Sequence, residues 1–104
     1  MRECLAKKAA DSQKTLKRAE NALAAALPRW DEDPKYVGQA KAKLAVSERA
    51  FIKYRQSQCD FAASLTGGAS GNSHEIKRLA CVAELNNRRA AQLSDAAADL
   101  ALKQ

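Results

Sequence analysis

Inward-type positions recur along the first quarter of the chain at alternating steps of four and three residues: Leu5, Ala9, Ser12, Leu16, Ala19, Leu23 and Ala26. A helix turns once in about 3.6 residues, so this rhythm gathers all of them on one stripe. Lys7, Lys14, Lys17 and Arg18 fall off that stripe, and the alternation of large and small side chains on it suits a closely packed neighbour. The helix is expected to stop at Pro28. After the acidic turn of residues 28–33, Asp33 followed by Pro34 reads as an N-cap with proline at the first helical position. The next periodic run passes through Val37, Ala40, Leu44, Glu48, Phe51, Arg55, Cys59 and Ala62 to about Leu65. Thr66, Gly67, Gly68, Ala69, Ser70, Gly71, Asn72 and Ser73 are turn formers. Asn72 with Glu75 has the spacing of a capping box, and Ile76, Leu79, Ala83, Asn86, Arg89, Leu93, Ala97 and Leu100 mark the inward side of a third helix.

The pattern therefore predicts an all-α fold with helices over about residues 2–27, 34–65 and 73–101. Short connections favour three antiparallel helices, an up-down-up helical bundle with a Gly-rich loop between the second and third. The 104 residues are read as a single domain, 1–104. A coiled-coil dimer is the competing use of the first helix. Its repeated alanines are small for such a seam, which favours a monomer.

Composition agrees with helices rather than a sheet, because apolar residues reach 46% of the chain while two Phe, two Tyr and one Trp are all its aromatics. The formal charge of +6 favours anionic partners. That excess is spread along the chain with no basic tail and no aromatics interleaved among dense Lys/Arg runs, a distribution that speaks against nucleic acid. No stretch is long and apolar enough for a membrane span or a leader peptide, so an exported form would have lost its leader or been given without it.

The cysteines are Cys4, Cys59 and Cys81. Folding the first hairpin about its turn brings Cys4 level with Cys59, and folding the second brings Cys59 level with Cys81. Either pair can form, and in a reducing compartment all are simply small residues packed inside. With His74 the one histidine and no CxxC pair, no metal site is expected, and neither is a cofactor. A lone histidine at a loop edge offers no catalytic set either, so the chain is read as a non-enzymatic binding protein.

Residues 47–59, with Phe51, Tyr54, Arg55 and Cys59, resemble the aromatic, Tyr-Arg, Cys stretch of the lysozyme inhibitor LprI-like N-terminal domain family, Phe51 standing where Trp is usual and Gln56 where Asp is usual. Gly67 and Gly68 are similar to the Gly-Gly turn that follows. Cys81, Leu85, Arg89 and Leu93 match the closing pattern, and Met1 with Cys4 the opening one. Gln13, Lys17 and Glu20 depart from the Asp, Asn and Tyr usual around Leu16. The resemblance implies an exported bacterial protein, periplasmic or secreted, with disulfides and with lysozyme as a protein partner. It also implies a further cysteine upstream of the opening motif. That partner would take Cys81 and leave Cys4–Cys59 as the preferred pair, with Cys59–Cys81 the close alternative and a disulfide-linked dimer a third use.

Residues 66–74 are the candidate binding loop, through Gly67, Gly68, Ser70, Gly71, Asn72 and His74, whose glycines allow close backbone approach to an enzyme cleft. Arg55 and Arg89 fall on or beside inward stripes. That position calls for a partner, so a structural ion pair with Glu48, Asp11 or Glu84 is expected, with a recognition role as the alternative. Phe51 is expected to be the central aromatic of the core, worth about 3 to 5 kcal/mol on truncation to Ala. Trp30 either covers the end of the first hairpin or stands exposed as a binding anchor. The charge offers a second reading, a basic helical protein docking on acidic surfaces such as nucleic acid or anionic lipid, and a disulfide-linked dimer acting as a structural envelope protein is a third.

Overall fold

A computed structural model describes residues 1–68 and 71–103 of the chain. Helix α1 covers Arg2–Ala26 and passes into one 3-10 turn at Leu27–Arg29; helices α2, Pro34–Ser64, and α3, Ser73–Ala101, complete the order. The first helix thus ends as an α-helix at Ala26 and tightens through Pro28. Pro28 closes no break, because it occupies the start of the short 3-10 turn where a missing N–H costs nothing. Asp33 caps α2 as its sequence suggests: its Oδ1 accepts from Lys35 N–H at 2.8 Å, with Pro34 at the first position. Asn72 is the N-cap residue of α3, but its side chain makes no cap bond. The capping box does not form because Glu75 turns to Arg78, whose Nε donates to Oε2 at 3.0 Å.

The three helices form an all-α bundle that is elongated and flat, 56 × 22 × 14 Å across its Cα atoms. Helix α3 lies along the length of α1 and more narrowly against α2, while the backbones of α1 and α2 barely approach one another. Side-chain size explains this. Ala19 on α1 and Ala83 and Ala90 on α3 are buried, and such small residues let two helices come close. On α2 the facing positions carry Phe51 and Arg55, which hold it off. Residue numbers fall along α3 as they rise along α2: Cys59 bonds Cys81, Arg55 reaches Asn86, and Ser47 accepts from Arg89. They rise together along α1 and α3, where Ser12 meets Asn86 and Asp31 N–H donates to the Lys103 carbonyl.

The core runs through Leu16, Ala19, Leu23, Leu27, Ala90 and Leu93, with Ala40, Leu44 and Phe51 of α2 packed against it half-buried. Phe51 is therefore on the flank of the core and not at its centre. Two guanidinium groups lie over its ring, Arg55 at 5.5 Å and Arg89 at 5.7 Å from the centroid. Phe51→Ala is expected to cost about 2 kcal/mol in urea unfolding, below the fully buried range because the side chain is only half-buried. A loss of about 4 kcal/mol would mean that the ring is enclosed.

Candidate functional site

Tying the two helices that flank the 66–74 loop, Cys59 and Cys81 are bonded across α2 and α3 with their Cα atoms 5.4 Å apart. Cys4 is exposed and free. The preferred pairing of Cys4 with Cys59 is thus corrected to Cys59 with Cys81. The reason is lateral: level along the bundle is shared by all the thiols, but α2 faces α3 and barely approaches α1, so Cys59 points to the helix that carries Cys81.

Beyond this bond α2 winds through its last turns to Ser64, with Leu65 as its C-cap residue. Two large apolar side chains stand outward there, Phe61 at 57% and Leu65 at 67% exposure. Four residues apart on a helix, they share a face. Gly67 and Gly71 follow with φ of +59° and +76°, a backbone that other residues adopt only with strain. Open space surrounds each: a Cβ added at Gly67, Gly68 or Gly71 would meet nothing within 4 Å. Asn72 and His74 are exposed, and Ser70 lies outside the described residues. Phe61 and Leu65 were not among the residues singled out by periodicity. Their signal was available in the sequence, as a pair of large apolar residues four apart on the polar side of α2, immediately before the Gly pair.

Below the disulfide a polar ladder crosses all the helices. Arg55 Nη1 donates to Asn86 Oδ1 at 2.8 Å and to Gln13 Oε1 at 3.2 Å. Asn86 Nδ2 donates in turn to Ser12 Oγ at 3.1 Å, and the Ser12 hydroxyl donates to the Ala9 carbonyl at 2.6 Å. Each oxygen accepts while its partner group donates onward, so the ladder is internally consistent. Arg89 Nη2 donates to Ser47 Oγ at 2.8 Å. Neutral oxygens thus replace the carboxylates expected for both arginines. Asp11 is taken by Lys7 and Glu84 by Arg88, each one turn away on its own helix, and Glu48, half-buried on α2, pairs with neither arginine. A polar groove of about 460 Å³ opens beside Arg55, with Asp60 and Arg78 on its wall. At the foot of the loop, the hydrogen bond from Arg78 holds Glu75 below its ordinary carboxylate value.

Trp30 is half-buried at the far end of the molecule, where it lines an apolar groove between α2 and α3. It is a wall of that groove, and so only in part a cover for the hairpin end.

Residues 1–93 match the model of a family described as "Lysozyme inhibitor LprI". No curated protein and no solved structure matches the chain.

Proposed function

Since the chain belongs to the lysozyme inhibitor LprI family, we propose that it is an exported, non-enzymatic protein that binds lysozyme and obstructs its cleft with the end of the bundle formed by Phe61, Leu65 and the 66–74 loop. The observation that carries this reading is the exposed Phe61–Leu65 pair, raised on a stem that the Cys59–Cys81 bond holds together. Apolar side chains of this kind act as anchors at protein interfaces, and a stem fixed in advance loses less entropy on docking. The disulfide also favours an oxidising compartment, periplasmic or outside the cell. Among the described residues no helix is long and apolar enough to cross a membrane.

Electrostatics shape the expected behaviour. Common animal lysozymes are strongly basic and this chain carries +6, so the two repel at long range and added salt should speed their encounter. Residues 66–73 carry no charge, which lets the loop approach where a basic segment would be turned away. In lysis of peptidoglycan by lysozyme, the intact protein should slow the rate, more so at moderate than at low salt. Phe61→Asp, or Val at both Gly67 and Gly71, should weaken inhibition about tenfold, equivalent to about 1.4 kcal/mol. Unchanged lysis at a large molar excess of intact protein, at both salt levels, would defeat the proposal. Binding to anionic vesicles that falls steeply with salt would then support the acidic-surface reading.

A further inference from the structure

The groove lined by Trp30 lies at the opposite end of α2 from the loop. We propose that it binds a single-chain anionic amphiphile, an alkyl chain ending in a carboxylate or similar head group. Its volume is about 600 Å³, within the range of about 300 to 1,000 Å³ usual for small-molecule sites. Leu27, Leu44, Leu93 and Leu100 contribute its apolar lining, drawn from α2, α3 and the turn after α1. The groove is bounded rather than continuous. At one end Trp30 stands beside the bond from Asp31 N–H to the Lys103 carbonyl, 3.3 Å long; at the other Arg89 lies against Phe51. From Arg89 to Lys103 is about 20 Å at the helical rise, room for one extended alkyl chain.

Charge selects the head group. Lys43, Arg89 and Lys103 line the groove against a single carboxylate, Asp99. A cationic or neutral amphiphile would gain only from the apolar lining, and a small inorganic anion only from the cations; an alkyl carboxylate uses both. Arg89 is already held by its bond to Ser47, so its fork meets a carboxylate with little further ordering.

The chain's one tryptophan reports on the groove directly. Dodecanoate, added below the concentration at which it forms micelles, should shift Trp30 emission to shorter wavelength and saturate. Dodecyltrimethylammonium at the same concentration should shift the emission much less, since it gains from the apolar lining alone. Lys43→Glu, which alters an exposed side chain outside the core, should weaken dodecanoate binding about fivefold, the scale of one exposed ion pair. Ala96→Phe should abolish the shift by filling the groove, with the helical circular dichroism retained. Should Ala96→Phe fail to fold, Lys43→Glu and the head-group comparison still decide. Absence of a shift with dodecanoate, equal shifts from both head groups, full dodecanoate affinity in Lys43→Glu, or a shift seen only with phosphatidylglycerol vesicles would each overturn the proposal. Lysozyme inhibition does not enter this test, so the two readings stand or fall separately.

Discussion

Breaking the Cys59–Cys81 bond is expected to lower stability by about 3 kcal/mol, the chain-entropy value for a loop of about two dozen residues. The residues lie 22 apart in sequence, and the bond removes from the unfolded chain much of its freedom to separate the ends of α2 and α3. The effect should be large here because few side chains of α2 are fully buried. Of its residues only Cys59 and Ala63 are buried, while Tyr36, Val46, Ile52, Tyr54 and Phe61 are exposed. The comparison is urea unfolding of a Cys4→Ser protein, oxidised, against the same protein with Cys81→Ala; removing Cys4 prevents thiol exchange. A difference below about 1 kcal/mol would mean that the packing of α2 on α3 does not need the crosslink. Peptide mapping without reduction should recover Cys59 joined to Cys81 and Cys4 as a free thiol. Recovery of Cys4 joined to Cys59 would refute the pairing.

Replacing Asn86 with Leu should cost about 2 to 3 kcal/mol, because it strands the polar partners of the amide and also crowds a fully buried position with a bulkier side chain. Asn86 is fully buried at 0% exposure. Its removal would leave Ser12 Oγ without a donor and Arg55 Nη1 with Gln13 alone. The groove beside Arg55 lets water recover part of the guanidinium's solvation, which keeps the cost at the lower end for a buried charged partner. Pairing Asn86→Leu with Arg55→Met should cost less than the two single changes added together, since taking away both members of a bond strands neither. Urea unfolding of the four proteins gives the coupling. Strict additivity would show that the ladder does not act as a connected unit.

Cys4 carries a separate lesson about level and direction. Counting residues from each turn ranks positions along the long axis of a hairpin correctly, since helical rise is constant. It says nothing of which neighbour a side chain faces. That depends on how the helices are arranged around one another, and here the flat arrangement turns Cys59 toward α3 and leaves Cys4 in solvent.

Periodicity by itself determined the helices and their ends to within a residue or two, because a helix repeats the same local geometry whatever surrounds it. It marked Leu16, Ala19, Leu23 and Leu93 as inward and Asp33 as a cap, and all of these hold. Residue-type rules were less dependable where a side chain had competing partners. Glu75 suited a capping box yet preferred Arg78 within its own turn, and Arg55 and Arg89 suited carboxylates yet found Asn86, Gln13 and Ser47. Gln13 illustrates the difficulty: it lies beside the inward stripe of α1, and only the approach of Arg55 from α2 and Asn86 from α3 gives it a role. What the tertiary structure alone decided is how the helices sit side by side. Small residues on α1 and α3 allow close approach and bulkier ones on α2 do not, so α2 keeps an exposed face, Phe61 and Leu65 stand free beside the loop, and an apolar groove is left open at Trp30. Those distances arise from side chains remote in sequence meeting across helices, and no local pattern encodes them.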